Sequence, residues 1–100
     1  MRVEELTKIH KVLGAGLMAK DGSIIESRIG FDYDVEKLGM MASRVVQGIK
    51  KSLSVEKPSV ILYTRENVFF TREIERGIVF VICQNDANIG LVKIKIDKII

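Results

Sequence analysis

Asp34 to Leu53, DVEKLGMMASRVVQGIKKSL, is the one long segment of the chain with an unambiguous helical period. Val35, Leu38, Ala42, Val45, Ile49 and Leu53 recur at spacings of three and four, so they share one face. Asp34 can cap the free amides of the first turn, and Lys50 and Lys51 suit the negative end of the helix dipole. A helix of this length runs roughly 30 Å, about the width of a small domain. Met41 and Val46 flank the stripe on opposite sides, and Met40 falls near the polar face. Gly39, Ala42, Ser43 and Gly48 are small and would let a second backbone come close. Two readings stay open: one wide core face with an exposed Met, or a helix that covers its own sheet and also meets a partner helix.

Upstream, Val3, Leu6, Ile9 and Leu13 predict a short amphipathic helix over residues 2–13, stopped by Gly14. Ala15–Lys20 and Ser23–Ile29 then flank Asp21-Gly22, the pattern of a two-residue hairpin whose turn residues both need positive φ. Gly30 to Tyr33 connects to the long helix. Downstream, Ser54 to Pro58 is a loop, because Pro58 bars helical continuation. Three strands follow as an antiparallel meander: Ser59–Arg65 and Val68–Glu75 joined by Glu66-Asn67, then Gly77–Gln84 after Arg76-Gly77. The run GIVFVIC, at 77–83, is apolar on both faces and belongs mid-sheet. Beyond it, Ile89, Val92, Ile96 and Ile99 fit a helix, whereas Val92, Ile94 and Ile96 alternating with lysines fit a strand; the pattern does not choose. Residues 1–100 read as a single α+β domain, one antiparallel sheet with helices packed on it.

The chain's 100 residues are 47% hydrophobic and 29% charged, a folded composition, with a mild net charge of +3. The basic residues are scattered rather than clustered, which argues against a nucleic-acid partner. Tyr63, Phe69, Phe70 and Phe80 lie on strands with no interleaved basic stripe and read as core or edge residues. The longest apolar run, Ile78 to Cys83, is too short for a membrane span. MRVEELTKIHKVL does not resemble a signal peptide, and a single cysteine makes a reducing, cytoplasmic setting the default. One proline, abundant Ile, Lys and Glu, and short connections are features of a thermophile's protein.

Reactive chemistry is sparse. His10, the only histidine, lies on the first predicted helix with no ligand partner at metal-site spacing, so no metal site is expected. Cys83 ends an apolar strand, where a thiol is buried and inert, and only His10 could serve it as a base. Gly14-Ala15-Gly16 precedes a strand, whereas a phosphate cradle follows a strand and opens a helix. Glu4, Glu5, Glu36 and Glu56 read as solvated, and Glu73 and Glu75 beside Arg72 and Arg76 as paired surface charges rather than an acid–base dyad. The expectation is no enzyme, no catalytic residue and no cofactor: a binding or assembly module.

GAGLMAKDGSIIESR, at 14–28, resembles the first hairpin of the roadblock or dynein-light-chain family, in which a Gly-Ala-containing strand meets an Asp-Gly turn. The capped, small-residue-rich helix at 34–53, the three-strand meander and the closing NIGLVKIKI, at 88–96, match in place and character. The resemblance covers essentially the whole chain. It implies the order helix–strand–strand–helix–strand–strand–strand–helix around a five-stranded sheet, and so tips the C-terminal segment toward helix. It also implies a two-fold homodimer, with the long helices packed together and the third strands meeting edge to edge. Bacterial and archaeal members of the family are typically paired with small Ras-like GTPases, as scaffolds or activators, and bring no catalytic residues of their own. We place the expected dimer interface at Met41, Ala42, Val45 and Gly48 of the 34–53 helix, with Ile61 and Tyr63 of the 59–65 strand. The strand offers an edge with no charge inward of Arg65 and no proline after Pro58, which pairing with its twin would protect. Against this scaffold stands a ligand-sensing module of profilin, longin or sensor-like architecture, which needs a pocket between helix and sheet.

Overall fold

A computed structural model describes residues 2–30 and 32–100; Met1 lies outside the described residues, as does Phe31 in the expected 30–33 connection. Eight elements follow in order: α1 (Val3–Thr7), β1 (Val12–Met18), β2 (Ile24–Arg28), α2 (Val35–Leu53), β3 (Ser59–Tyr63), β4 (Asn67–Ile74), β5 (Gly77–Gln84) and α3 (Ile89–Ile99). The strands form one sheet in the order β2-β1-β5-β4-β3, every neighbouring pair antiparallel. This is the expected α+β architecture, with the expected order of elements.

The doubly apolar strand, β5, sits in the middle, buried from Gly77 to Cys83. Alternation along the strands divides the core in two. On one face Val3, Leu6, Ala15, Leu17, Val68, Phe70, Val79, Val81, Val92 and Ile96 pack beneath α1 and α3. On the other, Met18, Phe69, Ile78, Phe80 and Ile82 meet Ala42 and Val46 of α2. The rings of Phe69 and Phe80 stack there, with centroids 5.9 Å apart.

The C-terminal segment is helical. Asn88 caps it by accepting from the Leu91 amide at 3.1 Å, and Val92 and Ile96 anchor it to the sheet. The strand-like alternation leaves a trace: Ile94, which would share a strand face with both, lies on the outward side of the helix and is half-exposed.

Four local expectations are corrected. The first helix ends at Thr7 rather than residue 13, because Val12 pairs with Cys83 on the central strand and draws residues 12 and 13 into β1. His10 therefore lies in the α1–β1 turn, and Gly14 lies within a strand rather than terminating a helix. The β1–β2 loop spans residues 19–23, with three residues rather than two inside its closing hydrogen bond: the Ala19 amide donates to Ser23 O, the Gly22 amide donates to Ala19 O, and of Asp21-Gly22 only Gly22 has positive φ, +95°. The β3–β4 turn is Arg65-Glu66, one residue earlier than expected, closed by the Thr64 amide bonding Asn67 O at 2.9 Å.

The fourth correction concerns Glu73. Its register opposite Ile78 turns it beneath α2, where it is 2% exposed rather than part of a surface pair with Glu75. Lys50 Nζ lies 3.0 Å from Oε1 and donates to Oε2 at 3.1 Å, while Lys20 Nζ approaches to 3.6 Å. Burial raises the Glu73 pKa, but the two ammonium groups outweigh it and hold the carboxyl below its ordinary range. Ser43 Oγ donates to Lys20 O at 2.9 Å, so the β1–β2 loop is tied to α2 beside this cluster.

Candidate interaction surface

The side of α2 that faces the sheet is narrower than its apolar stripe. Gly39, Ala42, Ser43 and Val46 are buried against the sheet, with Val35 and Leu38 partly so. Val46, expected on a flank, is thus at the centre of the packed face. The stripe's remaining members lie roughly a third of a turn away. Leu38, Met41, Val45 and Gly48, spaced three, four and three, form a second, outward row, with Val45 half-buried and Met41 and Gly48 exposed. A Cβ on Gly48 would meet nothing within 4 Å. Leu53 and Val55 continue the apolar surface past the end of the helix.

α2 also touches β3, a terminal strand of the sheet whose outer side pairs with no other strand among the described residues. It is short and carries Ser59, Val60, Ile61, Leu62 and Tyr63, without a charge or proline to guard it. Leu62 stands opposite Phe69, so Val60 and Leu62 share the α2 face of the sheet.

Of the six residues expected at an interface, the structure brings Met41, Val45 and Gly48 together on the outer row of α2. Ala42 does not join them. It is fully buried in the protomer's own core, so its small side chain serves the approach of α2 to the sheet. Ile61 stands opposite Phe70 and packs on the α1/α3 face, and Tyr63, by alternation, shares that face and is 70% exposed. They border the same sheet edge as Leu62 but do not continue the α2 surface. Leu38 at the border of the α2 row, and Val60 and Leu62 on the α2 face of β3, were not among the six. Period-two alternation was the available signal for the strand residues, but it names a face only once the register with β4 is known.

The groups considered for chemistry are apart or closed. Cys83 is buried, and burial pushes its thiol up to about 11, whereas His10 is exposed in the α1–β1 turn. Among the described residues no group of three His, Cys, Asp or Glu side chains could hold a metal ion. Glu75 lies in the β4–β5 turn paired with Lys57, and Arg72 reaches Asp97 of α3 at 2.5 Å while stacking over the Phe70 ring. Among the described residues no helix is long and apolar enough to cross a membrane.

No family model and no curated protein matches the sequence. Solved structures do match the fold. MglB of Myxococcus xanthus superposes with a TM-score of 0.80 at 24% identity, over 93% of this chain and 80% of that one. An MglB with a tetrameric arrangement gives 0.76 at 14% identity, over 96% and 77%. A roadblock/LC7 domain from Streptomyces avermitilis gives 0.75 at 11% identity, over 92% and 82%. The chain has the roadblock/LC7 fold.

Proposed function

We propose that this chain is a non-catalytic scaffold or regulator, acting in the cytoplasm as a two-fold homodimer that binds a small Ras-like GTPase. The observation that carries the dimer is a pair of unsatisfied features on two elements that touch: the outward apolar row of α2 and the open edge of β3. A two-fold axis beside them would pack Leu38, Met41, Val45 and Gly48 against their counterparts and extend the sheet through β3. Each large apolar side chain so buried contributes roughly 1.5–3 kcal/mol, and symmetry counts it twice. Gly48 has a place in this reading, since a bare backbone on the outer row lets a second helix approach. The proposed interface therefore keeps Met41, Val45 and Gly48 on α2 and Ile61 and Tyr63 on the paired β3 edge, adds Leu38, Val60 and Leu62, and removes Ala42. The GTPase follows from the likeness to roadblock-type proteins, with MglB among the similar folds.

The sensor-like reading requires a cavity between helix and sheet. Under α2 that space is filled by Met18, Ala42, Val46, Phe69, Phe80 and Ile82, which favours the scaffold.

Sedimentation equilibrium of the wild type and Gly48→Arg tests the dimer. The substitution enters open space in the protomer, so the variant should stay folded and sediment as a monomer while the wild type sediments at twice the chain mass. A wild-type monomer at tens of micromolar would refute the dimer. Co-elution with the cognate GTPase, or faster GTP hydrolysis when the two are mixed, tests the partner.

A further inference from the structure

On the opposite face of the sheet from α2, α3 presents a second unpartnered surface. Leu91, Ile94, Lys95 and Lys98 form one outward stripe at helical spacing, and Leu91 and Ile94 are 50% and 53% exposed. Because α1 is only five residues long, it covers part of α3 and leaves a groove between the two helices. The groove is shallow and open, about 420 Å³ between Glu5, Lys8 and Ile9 on one side and Leu91, Ile94 and Lys98 on the other. It runs on into a hollow of about 280 Å³ that shares Ile9, Leu91 and Lys95 and reaches His10 and Asp86. Lys11 closes that end by pairing with Asp86 at 2.5 Å. Lys8, Lys95 and Lys98 carry no ion pair among the described residues, leaving three lysines and one carboxylate, Glu5, around an apolar floor.

We propose that this groove docks an amphipathic acidic helix from a partner protein. A helix laid along α3 would set apolar side chains at every third or fourth position onto Ile9, Leu91 and Ile94, and its flanking carboxylates would meet Lys8, Lys95 and Lys98. Charge complementarity selects this occupant. A second copy of the chain docking two-fold through the same surface would bring its own three lysines to the same place. An anionic bilayer would have to enter a concave groove and desolvate Glu5 against its headgroups. The surface is separate from the α2–β3 side, so the chain could hold a partner here while that side is occupied.

The test titrates the isotope-labelled full chain with a designed helical peptide carrying a leucine stripe flanked by glutamates, with its lysine-for-glutamate counterpart, and with phosphatidylcholine–phosphatidylglycerol vesicles. Amide shifts report the site, and sedimentation at the same concentrations reports the dimer independently. The acidic peptide should shift Ile9, Leu91, Ile94 and Lys95, and Ile94→Asp should weaken it by about tenfold or more. The double variant Lys95→Glu/Lys98→Glu should reverse the preference toward the basic peptide. Both variants change exposed positions, and a dispersed amide spectrum confirms that each is folded. Equal binding of the two peptides, binding to vesicles only, shifts that depend on protein concentration without peptide, or no shift at high micromolar peptide would each overturn the proposal.

Discussion

Replacing Glu73 by Gln keeps the shape of a side chain packed under α2 and removes its charge. In the wild type the carboxylate is 2% exposed and held by Lys50 at 3.0 Å and Lys20 at 3.6 Å. Breaking a fully buried ion pair costs about 3–5 kcal/mol, whereas one hydrogen bond to a charged group contributes about 1.5–3 kcal/mol. Lys50 is a quarter exposed and Lys20 more than half, so both ammonium groups can turn to water once the carboxylate is gone. The expected loss is therefore near the lower range, about 2 kcal/mol, which lowers the thermal midpoint of a chain this size by roughly 8–16 °C. Glu75→Gln, which removes a paired but 87% exposed carboxylate, should leave the midpoint unchanged.

The effect has a pH signature. The folded Glu73 pKa lies below its ordinary value, so the unfolded state binds more protons between the two values. The Glu73 contribution is present above the unfolded pKa and disappears as pH falls through the folded one. The stability gap between wild type and Glu73→Gln should accordingly be widest near neutrality and close in acid. Asp21, Asp86 and Asp97 are lowered in the same direction, so both proteins lose stability together while the gap isolates Glu73. Urea unfolding of the two proteins at fixed concentration across this range measures it. A gap below about 0.5 kcal/mol at pH 7, or one that widens in acid, would refute the assignment of Glu73 as a paired buried carboxylate.

Ala42→Arg should unfold the chain rather than split a folded dimer, because the guanidinium would enter a fully buried site among Met18, Phe69 and Phe80; circular dichroism distinguishes the outcomes. Gly77→Ala should be severely destabilising: φ is +152°, and the new Cβ would lie 2.1 Å from Met18 O, a backbone atom that cannot move aside, so the thermal midpoint should drop well beyond that of Glu73→Gln. Cys83, buried with its thiol pushed up to about 11, should react with disulfide reagents at pH 8 only through opened states, and so far more slowly in the folded protein than in the urea-unfolded chain, as a thiol-release absorbance assay would show.

The sequence by itself determined the order of elements, because each rests on local signals. Asp34 and the 3.6-residue period mark α2, Pro58 ends any helical continuation, and the doubly apolar 77–83 run has no stable place but the middle of a sheet. It also placed Met41, Val45 and Gly48 on one side of α2. The ends of elements were less legible. Leu13 fits the α1 period but joined β1 with Val12, since pairing with the central strand outweighs the propensity of so short a helix. Only the tertiary structure decided which part of the α2 stripe is core. The sheet fully buries only Gly39, Ala42, Ser43 and Val46, half-covers Val35 and Leu38, and leaves Met41 and Gly48 facing outward. Register decided the remainder: pairing with Phe69 and Phe70 sent Leu62 and Ile61 to opposite faces, and pairing with Ile78 buried Glu73. Alternation along a strand is local, but the face each residue meets depends on the neighbouring strand, a distant part of the chain.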